Sequence, residues 1–202
     1  MQNRDKGDQN VMENNQKRNS NPALDEVTLS TQPIFDGKII TLQVDTVQLP
    51  DGNTATREVV KHPGAVAVLA LNNNKLLVVE QYRQPMLRTE VEIPAGKLDP
   101  GEDPLVAAHR ELQEETGFHS GDLKHLKSFY TSPGFADEII HLYVTENAQV
   151  GEMDLDEDEF LEVSELTLEE AYQYIADGRI ADAKTMMAVY AWHLYTLTGQ
   201  WH

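Results

Sequence analysis

Gly96-Lys97-Leu98-Asp99-Pro100-Gly101-Glu102 runs into Asp103-Pro104-Leu105-Val106-Ala107-Ala108-His109-Arg110-Glu111-Leu112-Gln113-Glu114-Glu115-Thr116-Gly117-Phe118. This is a turn followed by a helix. Asp103 is a good N-cap, Pro104 suits the first helical position, and Gly117 stands where a left-handed residue ends the run after Thr116. At about 100° per residue, Glu111 and Glu115 lie about 40° apart and Glu114 about 60° on the other side of Glu111, so three carboxylates share one arc. Like charges at such spacing repel, and the arrangement calls for a compensating cation. Clustered carboxylates are the oxygen ligands that Mg²⁺, Mn²⁺ or Ca²⁺ prefer. Arg110, on the side of Glu114, can neutralise part of the cluster. Leu105, Ala108 and Leu112 form an adjacent apolar arc that is expected to hold the helix against a sheet.

Outward from this helix, the chain alternates apolar runs with turn signals. Residues 66–71 and 76–82 read as buried strands around an Asn72-Asn73-Asn74 turn, with further strands at 126–130, 139–144 and 160–163. Thr167-Leu168-Glu169-Glu170 is a capping box opening a helix that closes near Gly178. Residues 183–197 predict a last helix with Met186, Val189, Tyr190, His193, Leu194 and Leu197 on one stripe. Upstream, residues 38–49, Pro50-Asp51-Gly52-Asn53 and residues 57–61 read as a hairpin. Residues 1–22 are poor in core side chains and predict a disordered polar tail. The expected organisation is thus a tail over 1–22, a small antiparallel β unit over 23–62 and a main domain over 63–202. The main domain is read as α/β, a mixed sheet with helices on both faces.

Composition narrows the function. The 202 residues carry 16 Lys plus Arg against 34 Asp plus Glu, a formal charge of −18. That balance repels polyphosphate backbones, so no nucleic-acid partner is expected. The absence of cysteine excludes thiolate catalysis and Cys-based zinc sites. The longest apolar run, residues 65–71, is far below the roughly 20 residues of a membrane-spanning helix. The first residues lack the apolar core of a secretory signal, and a cytoplasmic location without membrane association is expected.

Taken alone, Glu111, Glu114 and Glu115 would read as a solvated acidic face. The full string decides otherwise: Gly96-x5-Glu102-x7-Arg110-Glu111-Leu112-x-Glu114-Glu115-x-Gly117-Phe118 has a chance frequency of very roughly one in ten million at average composition. It resembles the box of the Nudix hydrolase superfamily, whose members cleave a nucleoside diphosphate linked to another group with divalent metal. Gly96-x4-Gly101 has P-loop glycine spacing, but Glu102-Asp103 replace the Lys and Ser or Thr that an ATPase needs. Gly-x-Ser-x-Gly, His-Glu-x-x-His and Gly-x-Gly-x-x-Gly do not occur.

The flanks are similar to the ADP-ribose pyrophosphatase branch. Pro133 falls sixteen residues after Gly117 within Thr131-Ser132-Pro133-Gly134-Phe135. Glu92-Ile93-Pro94-Ala95-Gly96, Gln81-Tyr82-Arg83-Gln84-Pro85 and Leu155-Asp156-Glu157-Asp158-Glu159-Phe160 add to the likeness. The resemblance covers about residues 30–197 and implies a Nudix α/β/α sandwich that hydrolyses ADP-ribose to AMP and ribose 5-phosphate. It implies Mg²⁺, with Mn²⁺ as the alternative, held by Glu111, Glu115, Glu114 and the backbone carbonyl of Ala95. Gly96 belongs to the same loop as a substrate-binding residue, and Glu138, together with Glu111 and Glu115, is assigned to catalysis, Glu138 as the base. An acid at the start of a strand is also commonly a solvated edge. Glu102 is read as bracing the loop. Arg83 is placed to reach phosphate, the alternative being a surface arginine. Arg57 and Phe35 are implied in substrate binding from the amino-terminal unit, which is expected to form a homodimer; for Phe35, packing is an equal alternative. Two other readings stand beside the first: a broader nucleoside-diphosphate-sugar pyrophosphatase, and a domain that senses ADP-ribose without cleaving it. The acidic stretch 152–162 is expected to be a solvated loop rather than a second cation site.

Overall fold

The computed structural model describes residues 21–151 and 160–202. The expected tail falls almost wholly, and the acidic stretch mostly, outside the described residues. The chain divides into two compact units, one ending at Lys61 and one beginning at His62.

The first unit is a three-stranded antiparallel sheet of β1 (Val27–Asp36), β2 (Thr41–Gln48) and β3 (Thr54–Lys61), in that spatial order. The β2–β3 turn places Gly52 at φ +86°, and the Asp51 side chain accepts from the Asn53 N–H at 3.0 Å. This is the hairpin expected from the sequence. Strand β1 was not expected. Its pairing shifts between Thr28 and Ser30 and again between Pro33 and Phe35, and each bulge breaks the two-residue periodicity by which a strand is recognised.

The second unit is built on a seven-stranded mixed sheet. Its path is β12 (Leu161–Leu166), β5 (Lys75–Arg83), β4 (Ala65–Asn72), β10 (Ile139–Thr145) and β9 (Lys124–Tyr130); β6 (Arg88–Glu92) pairs with β5 and β7 (Ala95–Lys97) with β4. β4 and β10 are parallel, and the other pairs are antiparallel. Short strands β8 (Phe118–His119) and β11 (Gln149–Val150) form a separate pair. Strand β4 shows why both faces are covered. Ala65, Ala67, Leu69 and Leu71 join one buried cluster, while Val66, Val68 and Ala70 join another. Helix α1 (Pro104–Thr116) covers the second cluster; α2 (Leu168–Ala176) and α3 (Ala183–Thr198) cover the first. The layers are therefore helix, sheet and helix. Burying a Leu or Val side chain contributes roughly 1.5–3 kcal/mol, so this sheet is a rigid base for the loops at its edge. Among the described residues no helix is long and apolar enough to cross a membrane.

Caps follow the sequence. Asp103 accepts from the N–H groups of Leu105 and Val106, Gly117 closes α1 at φ +71°, and Thr167 with Glu170 forms the reciprocal capping box of α2. Two packing expectations need correction. In α1, Leu105 is exposed and Ala107 takes its place, so the buried stripe is Ala107, Ala108, Glu111, Leu112, Glu115 and Thr116. In α3, Tyr190, Leu194 and Leu197 are exposed, and Thr185, Ala188, Val189 and Trp192 face the core. That helix is apolar on most sides, and its pattern does not say which side the sheet will take.

Candidate active site

The buried stripe of α1 carries two carboxylates. Glu111 is 8% exposed and Glu115 is 3% exposed, at the edge where β7 and the following loop pass over the helix. The Ala95 backbone N–H donates to Glu115 Oε2 at 2.9 Å. Gly96 lies beside Glu111 so closely that a Cβ there would overlap its carboxylate. Glycine lets the strand approach the helix this way without displacing that carboxylate.

Arg110 ties the acids together. Its Nη1 donates to Glu111 Oε1 at 2.8 Å and to Glu114 Oε2 at 2.9 Å. Its Nε and Nη2 each reach Glu102 at 3.0 Å. Glu102 also accepts from the Asp99 N–H at 3.0 Å, so it braces the loop. The hydrogen bond to Glu102, with Glu111 and Glu114 close by, holds Arg110 firmly protonated, and Arg110 in turn keeps Glu102 below the usual carboxylate range.

A second charged group lies on the same cavity. Arg83, at the end of β5, donates from Nε to Glu92 Oε1 at 2.5 Å and from Nη2 to Oε2 at 2.9 Å. Lys184, in the first turn of α3, also pairs with Glu92 and reaches Asp182 Oδ1 at 3.1 Å. Burial alone would raise the Glu92 carboxyl, but Arg83 and Lys184 outweigh it and hold it below its ordinary value. Arg83 is more firmly protonated through the same hydrogen bond, with Glu115 and Asp182 adding to the effect. Glu138, just before β10, accepts from Thr131 Oγ1 at 2.6 Å, and His62 Nε2 stands 3.7 Å from its other oxygen.

Arg83, Ala95, Gly96, Glu111, Glu114, Glu115 and Glu138 all line one cavity of about 570 Å³, within the range of small-molecule sites. Arg57 and Phe35 belong to the amino-terminal unit. Arg57 pairs with Glu26 through a fork, its Nε at 3.0 Å. Phe35 is 55% exposed, with its ring against Gly37. Sequence reading missed His62, Asp182 and Lys184 on the cavity wall and named Glu92 only within a motif. Their signals are weak: Lys184 sits in a helix that reads as core packing, and a single His after a strand has no motif of its own.

Among the described residues no three acidic or imidazole groups already converge tightly enough to enclose a cation; Arg110 and the Ala95 N–H hold them instead. The donor set nonetheless fits a hard divalent ion. It offers oxygen donors, with the carboxylates of Glu111 and Glu115 on a buried helical stripe, and their mutual repulsion is relieved by positive charge.

Residues 61–189 match the NUDIX domain, and residues 26–60 match the nucleoside diphosphate sugar hydrolase N-terminal domain. The Bacillus subtilis protein named ADP-ribose pyrophosphatase is 51% identical over 83% of this chain and 92% of its own length. The Bacillus methanolicus protein named methanol dehydrogenase activator is 57% identical over 82% and 91%. A Mycobacterium tuberculosis ADP-ribose pyrophosphatase is 36% identical over 84% of each chain. A crystal structure of an ADP compounds hydrolase superposes with a TM-score of 0.76 at 22% identity, covering 87% of this chain and 95% of that one, which supports the fold. With its box loop, its carboxylate helix and these matches in place, the chain belongs to the NUDIX domain family.

Proposed function

We propose that the protein hydrolyses the pyrophosphate bond of ADP-ribose, with water as co-substrate, to AMP and ribose 5-phosphate. The observation that carries this reading is one cavity lined by Glu111, Glu114, Glu115, Glu138 and the Glu92-anchored Arg83. The relatives named ADP-ribose pyrophosphatase support the substrate.

Glu111 and Glu115, with Glu114 in support and the Ala95 carbonyl beside them, would hold Mg²⁺, or Mn²⁺ in its place. Such an ion, when bound, supplies charge neutralisation at the diphosphate oxygens. Gly96 keeps the loop close enough for this. Arg83 retains Nη1 donors beyond those spent on Glu92, and these would grip a phosphate oxygen. Glu138 takes the proton of the attacking water while the new P–O bond forms and the bridging P–O bond breaks. The departing phosphate leaves with the electron pair.

The amino-terminal sheet supports a homodimer. Val27, Leu29, Ile34, Phe35 and Ile39 are all at least half exposed in this unit, apolar side chains that a second copy would cover. In that assembly Arg57 and Phe35 would contribute to substrate binding, and the enzyme would work in the cytoplasm. Sedimentation equilibrium tests the dimer.

A broader nucleoside-diphosphate-sugar activity is favoured by one observation, the 37% identity over 142 residues to a Yersinia enterocolitica GDP-mannose pyrophosphatase. Incubation with Mg²⁺ in ¹⁸O-water, with mass analysis of products, decides between them. AMP and ribose 5-phosphate carrying one label between them support the ADP-ribose reading. A higher kcat/KM for GDP-mannose selects the broader one, and tight ADP-ribose binding without AMP release would make the protein a sensor.

A further inference from the structure

His62 has no place in the reading so far, yet it is among the most constrained side chains on the cavity. It follows β3 directly, its side chain is 11% exposed, and three contacts hold it. Its backbone N–H donates to Asp137 Oδ1 at 2.9 Å. Its Nδ1 accepts from the Gly64 N–H at 3.1 Å. Its Nε2 stands 3.7 Å from Glu138 Oε1.

The second contact fixes the chemistry of the third. A backbone N–H can only donate, so Nδ1 must present its lone pair, and the proton of the neutral ring belongs on Nε2. Nε2 is the ring nitrogen that stands 3.7 Å from Glu138 Oε1. Gly64 adopts φ +91°, a conformation other residues rarely take, and so turns the chain from this contact into β4. The same glycine accepts from the Leu98 N–H at 3.1 Å and packs against Ile139. His62 is therefore seated where the loop into β4, the loop before α1 and the start of β10 meet. Glu138 in turn has its Oε2 held by Thr131 Oγ1 at 2.6 Å, leaving Oε1 on the side of His62. At 3.7 Å the His62 contact is longer than a hydrogen bond, and catalytic contacts commonly tighten only when substrate is bound.

We infer that His62 is a positioning residue for Glu138: its Nε2–H and the Thr131 hydroxyl hold the two carboxylate oxygens, so that Glu138 presents its remaining lone pairs to the attacking water. This rests on the reading of Glu138 as the base. His62 does not touch the reacting atoms, and no proton passes through it.

Two amide substitutions separate this role from simple bracing of the Gly64 turn. In His62→Asn the side-chain oxygen can replace Nδ1 and accept from Gly64, but nothing reaches Glu138. In His62→Gln the amide nitrogen can replace Nε2 and reach Glu138, but Gly64 loses its acceptor. Positioning predicts that His62→Asn lowers kcat on ADP-ribose about 10- to 100-fold with KM within about twofold. His62→Gln should recover most of that loss, and His62→Asn should cost nothing further in a Glu138→Gln background. Equal activity of the two variants, a better Asn than Gln, or an undiminished effect in the Glu138→Gln background overturns the proposal.

Long-range ¹H–¹⁵N spectra of the histidine rings in the full chain give a readout that needs no turnover. A protonated Nε2 on neutral His62 whose shift responds to Glu138→Gln supports the coupling. A protonated Nδ1, or no response, overturns it. If the wild-type protein fails to cleave ADP-ribose, the substrate reading falls, while these spectra still decide the His62–Glu138 contact.

Discussion

Gly96 sits so close to the carboxylate of Glu111 that a methyl group on its Cα would occupy the space of that side chain. Glycine is required here by the neighbour rather than by the backbone dihedral. Gly96→Ala therefore must either swing the Glu111 carboxylate away from its place beside Arg110 or lift β7 away from the helix. Overpacking of this kind costs roughly 1–3 kcal/mol, and the displaced carboxylate would no longer face its partners. We expect a lower melting temperature together with a loss of kcat/KM of about 100-fold or more, since errors near 1 Å in a site have that effect. A Gly96→Ala variant with wild-type melting temperature and turnover would show that the close approach of Gly96 to Glu111 is not needed for folding or for the reaction.

Glu115 is more deeply buried than Glu111 and receives a hydrogen bond from Ala95. In Glu115→Gln the amide oxygen can keep that bond while one negative charge disappears. Folding should be preserved, with a melting temperature unchanged or slightly higher from relieved repulsion. Turnover should fall by about two to three orders of magnitude, the equivalent of several kcal/mol of lost charge stabilisation. Mn²⁺ titration followed by electron paramagnetic resonance should show weakened binding in the same variant. Wild-type Mn²⁺ affinity with wild-type kcat would remove Glu115 from the ligand set.

Arg110 holds Glu111 and Glu114 with one nitrogen, so it screens the acids when no metal does. Arg110→Met should lower the melting temperature in the presence of a chelator, because the carboxylates then face each other unscreened. Mg²⁺ should restore part of that loss, and it should stabilise the variant more than the wild type. A ligand at 100 times its Kd contributes about 2.7 kcal/mol to the state that binds it. Scanning calorimetry with and without Mg²⁺ measures both. Equal Mg²⁺ responses in the two proteins would mean that Arg110 and the cation do not share these oxygens.

The box loop and α1 were legible because their caps, glycines and carboxylates act locally, through spacing along one turn and one helix. The sheet was legible in its central strands, where residues 65–71 and 76–79 are continuously apolar. Strands β6 and β7 were not: β6 reads Arg88-Thr89-Glu90-Val91-Glu92, and its buried glutamates look like surface until Arg83, Lys184 and Arg88 are placed beside them. The face of α3 was misread for the opposite reason, an excess of apolar residues. Lys184 meets Glu92 across 92 positions and His62 meets Asp137 across 75. No local pattern carries that information.

Asp122 provides a test by pH that lies away from the cavity. Its carboxylate accepts from Ser120 Oγ and Thr145 Oγ1, each at 2.6 Å, and from Asn147 Nδ2 at 2.9 Å. The Ser120 bond first, then those from Thr145 and Asn147, pull it down to about 2. An unfolded Asp titrates near 3.9. The folded state therefore favours the charged form, so the stabilisation is fully present above about pH 4 and is lost as pH falls toward 2. The unscreened shift would correspond to over 2 kcal/mol, but water reaches this group, and about 1 kcal/mol is the reasonable expectation. Urea unfolding of wild type and Asp122→Asn should differ by roughly that amount at pH 6, and the two curves should converge between pH 4 and pH 2. A difference that stays constant across that window would mean that the charge of Asp122 does not stabilise the end of β10.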